Sequence, residues 1–152
     1  MSSPKEIVVD GSNMILGRLA SRIAKLLLEG YRVYVVNVEK IVLSGRRNTV
    51  VQSYKRTVLG VKSHYSHKWR PKRPRSPVRL FKKTVWGMLP KNNRGLEALK
   101  RLKAYVGVPE DLKSREAIQF PEASAAKLSR PGVTLAVVAR ELGWKGVTPP
   151  RP

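Results

Sequence analysis

Residues 6–38 read EIVVDGSNMILGRLASRIAKLLLEGYRVYVVNV and contain three regular elements in succession. Glu6–Asp10 is a short β-branched run that ends at an Asp-Gly turn, which predicts a buried strand. Tyr31–Val38 is rich in β-branched and aromatic residues and predicts a second strand. Between them, apolar residues recur at helical spacing and Gly30 provides a helix C-terminus. These apolar positions are Leu16, Leu19, Ala20, Ile23, Ala24, Leu26 and Leu27.

A strand, a helix and a strand within about forty residues form a βαβ unit, in which the two strands are parallel and the crossover is right-handed. We therefore expect an α/β fold built on a parallel sheet. In the connection before the helix, Gly11 is expected to make the turn and Gly17 to permit close packing of the helix.

The remainder of the chain predicts further elements of both kinds. Val133–Ala139 also fits a buried strand, so its state stays open at this point. The predicted elements are helices over Thr49–Leu59, from a Ser76-Pro77 start to Pro90, from an Asn93 cap to a stop at Gly107, and over Thr134–Leu142, and a strand over Glu116–Phe120.

The length of 152 residues suits one domain, which we place at residues 1–147, with a frayed tail at residues 148–152. The chain has no cysteine, which excludes a disulfide framework, a zinc ribbon and thiol catalysis. No apolar run approaches a membrane span, and the first residues lack the order of a secretory signal. We therefore expect a cytoplasmic protein that does not contact a membrane.

The charge is strongly positive, because 31 Lys and Arg residues face only 10 Asp and Glu residues, for a formal net charge of +21. Such a chain repels itself, and its usual partner is a nucleic-acid backbone. Much of the excess lies between Arg46 and Arg94, where no acidic residue occurs. The fifteen basic residues of this segment are Arg46, Arg47, Lys55, Arg56, Lys62, Lys68, Arg70, Lys72, Arg73, Arg75, Arg79, Lys82, Lys83, Lys91 and Arg94.

Residues 60–77 are predicted to form a long extended basic loop, because Pro71, Pro74 and Pro77 prevent both a helix and a central strand. Aromatic and imidazole rings alternate with the cations of this loop. Flat rings can stack on unstacked bases, which is a feature of RNA recognition. A disordered charged linker is the alternative interpretation for the free protein. The rings are His64, Tyr65, His67 and Trp69.

No motif for catalysis or for a cofactor is found. Gly11–Leu19 lies where a phosphate-binding loop would lie, but it has five residues between its glycines, Arg18 in place of lysine, and Leu19 in place of a metal-binding hydroxyl. His64 and His67 lack the further ligands that zinc needs. We therefore expect neither an enzyme nor a small-molecule substrate, a cofactor or a metal.

Four motifs resemble the family of the thirteenth universal large-subunit ribosomal protein, and they occur in the order of that family. The region around Gly87-Met88-Leu89-Pro90 resembles the family signature, with Gly95, Ala98-Leu99, Arg101-Leu102, Tyr105 and Gly107-x-Pro109 following it. The other three motifs are Leu16–Ser21, Asn37–Ile41 and Leu43–Arg46. Pro74–Pro77 and Glu141–Lys145 resemble the archaeal and eukaryotic branch. A long helical extension is missing, so the archaeal type is favoured. Trp86 stands where the family usually has a basic residue.

The resemblance implies a three-layer α/β/α domain with a four-stranded parallel sheet. It also implies a structural role in the large ribosomal subunit, with binding to large-subunit ribosomal RNA, support of early assembly, and neighbouring ribosomal proteins as partners. A DNA-compacting protein is the closest rival on charge alone. The expected RNA-binding residues are Arg18, Arg22, Lys25, Ser44, Arg46, Arg47, Lys55, Arg56, Lys62, His64, His67, Lys68, Trp69, Arg70, Lys72, Arg73, Arg75, Arg79, Lys82, Lys83, Lys91 and Arg94.

Overall fold

The computed structural model describes residues 5–60 and 73–146. Residues 61–72 of the loop predicted at residues 60–77 and the tail predicted at residues 148–152 lie outside these residues, so both stay predictions. In chain order the elements are β1 (Glu6–Asp10), α1 (Leu16–Leu28), β2 (Arg32–Val36), β3 (Val42–Leu43), α2 (Arg47–Val58), α3 (Pro77–Met88), α4 (Asn93–Lys100), β4 (Leu102–Ala104), α5 (Glu110–Lys113), β5 (Ala117–Ile118), β6 (Val133–Thr134) and α6 (Leu135–Glu141).

Four strands form a parallel sheet in the order β4-β2-β1-β5, which confirms the expected sheet. β1 pairs with β2 in the register Val9 to Val35, and α1 makes the crossover between them. β3 and β6 form a separate antiparallel pair, in which Leu43 faces Val133. This second pair joins segments that are about ninety residues apart in the chain, and it positions part of the site described below.

The main core lies on the sheet face that carries Val9, Val33 and Val35. The apolar stripe predicted for α1 is buried there, and Gly30, with a φ of +99°, follows the end of the helix. The start of α3 is also as predicted, because the Ser76 hydroxyl accepts a hydrogen bond from the Arg79 amide and Pro77 is the first helical residue.

The opposite sheet face is covered much more thinly than a three-layer arrangement with full helices implies. Its buried cluster consists of Val8, Val36 and Leu112, and the last of these is supplied by the four-residue helix α5. Beside this cluster, the Tyr34 hydroxyl donates a hydrogen bond to Glu6 at 3.1 Å. In residues 5–60 and 73–146, the layer on this face therefore consists of one short helix beside polar side chains of the sheet.

Three expectations are corrected. The helix that follows Asn92 ends at Lys100, and Leu102–Ala104 is strand β4, because Leu102 and Ala104 alternate with the exposed Lys103. The N-cap is Asn92, whose side chain accepts from the Gly95 amide at 3.0 Å, and not Asn93. Gly17 is exposed, and a Cβ added there would meet no atom within 4 Å, so it does not serve close packing.

The last ambiguous segment is resolved as a helix. Leu135–Glu141 is α6, and Leu135, Val138 and Ala139 are buried in the main core. Gly143 follows with a φ of +102°, a left-handed conformation that favours glycine. The strand is limited to Val133–Thr134.

Candidate nucleic-acid interface

Helix α2 presents the first group of predicted cations, and it is attached to the rest of the protein by a small contact. Val51 is its only buried residue, and the helix packs against α6. Arg46 is the N-cap residue and, like Arg56, has an exposed side chain. α2 therefore displays most of its surface to solvent.

Two of the α2 cations are paired within the protein. Glu141, at the end of α6, lies 2.9 Å from the Lys55 ammonium and 3.5 Å from the Arg47 guanidinium. The hydrogen bond from Lys55 is the main reason that the pKa of Glu141 lies below its usual value, and Arg47 adds a smaller effect in the same direction. Glu141 thus links α2 to α6 and partly neutralises Arg47 and Lys55.

A second group of cations lies in the first two turns of α3 and just before it. Arg73, Arg75, Arg79 and Lys83 are exposed, and Lys82 is half-buried. Within the described ranges, no carboxylate lies at ion-pair distance from these five side chains. They therefore keep their positive charge available to a partner outside the chain.

The predicted cations near the end of α3 are instead occupied by contacts within the protein. The Lys91 ammonium lies 3.8 Å from the centre of the Trp86 ring and donates a hydrogen bond to the Trp86 carbonyl. Arg94 donates to the Leu28 carbonyl at 3.4 Å, at the C-terminal end of α1. Lys91 thus places a cation beside Trp86, at the position where the resembled family usually has a basic side chain.

The predicted cations of α1 differ in whether a carboxylate pairs with them. Arg22 forms an ion pair with Glu122, which follows β5, whereas no described carboxylate pairs with Arg18 or Lys25. Lys25 and Arg94 line the same surface groove between α1 and the end of α3, with Met88 beside them. Arg18 and Lys25 are therefore the cations of the first helix without a described carboxylate partner, and the predicted RNA-binding role of all three residues stays a prediction.

One basic residue of the site was missed from the sequence. Since β3 pairs with β6, the residues that leave β3 lie beside those that enter β6. Ser44 and Arg46 form one side of a groove of about 430 Å³, and Ser129 and Arg130 form the other. A Cβ on Gly132 would lie 2.5 Å from the Leu43 carbonyl oxygen, so this close approach requires glycine. No local pattern could have found Arg130, because the strand pairing alone brings it to the groove.

The remaining predicted site residues are Ser44, which lines the groove just described, and residues of the loop. Lys62, His64, His67, Lys68, Trp69, Arg70 and Lys72 lie outside the described residues, so their roles stay predictions. The described part of the chain contains no group of three or more His, Asp or Glu side chains that could hold a metal ion. No helix in the described ranges is long and apolar enough to cross a membrane.

Comparison with known proteins decides the family. The family model described as ribosomal protein L13 matches residues 4–111. The chain belongs to the ribosomal protein L13 family. Members of this family are structural proteins of the large ribosomal subunit, located in the cytoplasmic ribosome, and they are not enzymes.

Three relatives show that the chain is of the archaeal type. It is 68% identical over 143 residues to the large ribosomal subunit protein uL13 of Aeropyrum pernix, which covers 93% of this chain and 92% of the relative. It is 46% identical to the uL13 of Archaeoglobus fulgidus over 92% of this chain and 89% of the relative. It is 43% identical to the uL13 of Saccharolobus solfataricus over 92% of this chain and 94% of the relative. The resemblance seen in the sequence is thereby confirmed.

Proposed function

We propose that this member of the L13 family binds large-subunit ribosomal RNA through the exposed cations of α1, of α2, of the start of α3 and of the groove between Arg46 and Arg130, and that it supports early assembly of the subunit. The observation that carries the proposal is the placement of charge. The exposed cations of the described part of residues 46–94 have few carboxylate partners, and Glu141 alone supplies them.

The expected mode of binding is neutralisation of phosphates together with recognition of RNA shape. Arginine and lysine contact phosphate oxygens in any sequence, so these contacts fix position and not base identity. The best candidates are the exposed cations without a described carboxylate partner, because no internal ion pair must be broken. They are Arg18, Lys25, Arg46, Arg56, Arg73, Arg75, Arg79, Lys83 and Arg130.

The proposal is tested by measuring how affinity depends on salt. Binding of the purified chain to deproteinised large-subunit ribosomal RNA is titrated between 50 and 200 mM salt. If about 6–10 phosphates are contacted, affinity falls by roughly 10³-fold or more over this range. Arg46→Ala, Arg73→Ala and Lys83→Ala should each weaken binding and reduce the salt slope by about one.

Lys103→Ala is the matched control, because Lys103 is an exposed cation on the opposite sheet face. It should leave both affinity and slope unchanged. Equal effects of Lys103→Ala and Lys83→Ala would show that binding is not confined to the proposed face. Equal competition by duplex DNA and by ribosomal RNA would favour DNA compaction instead.

The assembly role is tested in cells. Extract is sedimented through a sucrose gradient at moderate salt after a short isotope pulse, and the chain is followed by mass spectrometry. A protein that joins early should appear labelled in precursor particles before it appears in mature large subunits. Labelling that appears only in mature subunits would contradict early binding, and a chain that stays at the top of the gradient would contradict the whole proposal.

A further inference from the structure

No contact or backbone conformation of the described residues requires glycine at position 87. It lies in the last turn of α3, its φ is not positive, and a Cβ added there would meet no atom within 4 Å. Glycine inside a helix costs about 0.5–1 kcal/mol relative to alanine. Gly95 shows the contrasting case, because a Cβ there would overlap the Pro90 carbonyl oxygen. Gly87 therefore keeps open a space that the described chain does not itself fill.

That space is part of a groove between α2 and α3, with a volume of about 240 Å³. We call it the α2–α3 groove. α2 packs against α6, whereas α3 packs mainly against α1 and also contacts α6, and the groove lies between α2 and α3. Eight residues line it, and they are Tyr54, Thr57 and Val58 of α2, Leu80, Lys83, Thr84 and Gly87 of α3, and Pro74 just before α3.

The walls combine a ring, aliphatic surface, hydroxyl oxygens and one cation. Tyr54 is half-buried, and burial raises the pKa of its phenol, so the ring is a neutral flat surface. The hydroxyls of Thr57 and Thr84 each donate to a carbonyl of their own helix at 3.0 Å, which leaves their lone pairs free to accept. None of the lining residues is acidic, and Lys83 lies at the groove.

These features fit one unstacked nucleotide of a bound RNA. A base is flat and carries amino donors for the threonine oxygens, and its phosphate would be attracted by Lys83 and by the cations that flank Pro74. The groove is smaller than the roughly 300–1,000 Å³ of typical small-molecule pockets. It therefore suits a ring presented by a larger partner better than a free ligand.

We propose that the α2–α3 groove accepts a single unstacked nucleotide of the ribosomal RNA, and that Gly87 is glycine because a side chain would occupy its place. This inference rests on the proposed function, since it assigns one contact within the proposed RNA interface. It differs from phosphate neutralisation, because it predicts a loss of affinity from a change that removes no charge.

The test is Gly87→Leu, with Ala117→Leu as the matched control. Ala117 is exposed on β5, away from α2 and α3, so leucine there adds apolar surface without entering the groove. Binding to deproteinised large-subunit ribosomal RNA is measured at several salt concentrations. Gly87→Leu should weaken binding by roughly 10- to 100-fold, the usual loss when a base–aromatic contact is removed, with an unchanged salt slope. Ala117→Leu should bind like wild type.

Folding is checked by the melting temperature, which should not fall for Gly87→Leu, because leucine is a better helix former than glycine. Gly87→Ala, a smaller change in the same direction, is measured alongside and should weaken binding less. If wild type binds and both Gly87 variants bind equally well, the nucleotide inference is wrong while the proposed function stands. If wild type itself shows no preference for ribosomal RNA over duplex DNA, the proposed function fails first.

Discussion

Glycines occur in this protein both where a side chain would clash and where a side chain would meet nothing. Gly95 lies in the first turn of α4 against the Pro90 carbonyl, and only the absence of a Cβ allows that approach. Gly17 lies in the first turn of α1, where a Cβ would meet nothing within 4 Å. The sequence shows the same residue at both positions, and only the structure distinguishes the close contact from the open surface.

These two positions give a paired prediction for stability. Gly95→Ala should lower the free energy of unfolding by about 1–3 kcal/mol, because the new methyl group forces α4 away from Pro90. Gly17→Ala should raise it by about 0.5–1 kcal/mol, because alanine loses less backbone entropy in a helix. Urea unfolding of both variants checks the pair. A Gly95→Ala variant as stable as wild type would show that the turn before α4 relaxes without cost.

Helices and strands could be predicted where local pattern and tertiary packing agree. The β-branched runs and the helical spacing in residues 6–38 predicted β1, α1 and β2 closely. The apolar stripe of α1 shares the main core with Val9 and Val35, and Val8 and Val36 are buried on the other sheet face, so the local pattern and the packing agree. The prediction was wrong at Leu102. Leu96, Leu99 and Leu102 follow one another at helical spacing, which predicts that the helix continues through Leu102. Leu96 is exposed and Leu102 is buried as part of β4, because pairing with β2 outweighs the local helical pattern.

The candidate site could be predicted less completely for a related reason. The sequence identifies which residues are cationic, and the described members of that set lie largely on surfaces as expected. It does not show which cations are paired, and Glu122 and Glu141 reach Arg22, Arg47 and Lys55 only through tertiary contacts. Long-range pairing of this kind leaves no local signal.

The link between α2 and α6 gives a prediction about pH. The pKa of Glu141 is lowered in the folded protein, chiefly by the hydrogen bond from Lys55. The ionised carboxylate therefore stabilises the folded protein fully above the unfolded pKa of 4.5. This stabilisation is lost as the pH falls through the lower pKa of the folded protein. Glu141→Gln should therefore unfold at lower urea concentration than wild type at pH 7, and the difference should become smaller as the pH is lowered to 3.

Glu97→Gln is the control for this measurement, since no described cation lies at ion-pair distance from the exposed Glu97 on α4. It should behave like wild type at both pH values. A difference for Glu141→Gln that is as large at pH 3 as at pH 7 would show that Glu141 acts through packing and not through its charge. Hydrogen exchange should locate the loosened segment in α2.

At the scale of the whole molecule, a net charge of +21 acts on folding and on binding in opposite directions. Like charges repel in the compact state, and salt screens that repulsion. Added sodium chloride should therefore raise the melting temperature of the free protein by a few degrees between 50 and 500 mM, which corresponds to about 1 kcal/mol for a chain of this size. Over the same range its affinity for RNA should fall.

The two effects are measured on one preparation by thermal unfolding and by RNA titration. A neutral osmolyte at matched osmolality is the control, because it leaves charge repulsion unscreened. A melting temperature that does not rise with salt would mean that internal ion pairs, such as those of Glu6 with Arg32 and Arg115, offset the repulsion.

The thinly covered sheet face is close to electrically balanced, which has a consequence for how quickly the protein finds its partner. Glu6, Asp10, Glu110 and Asp111 lie in β1 and α5, and Arg32, Lys103, Lys113 and Arg115 lie near them. The cations of α2, α3 and the groove at Arg130 lie outside this balanced face, so the charge of the described residues is unevenly distributed over the molecule. In the field of a polyanion such a molecule turns before contact, so a larger fraction of collisions is correctly oriented and the association rate rises.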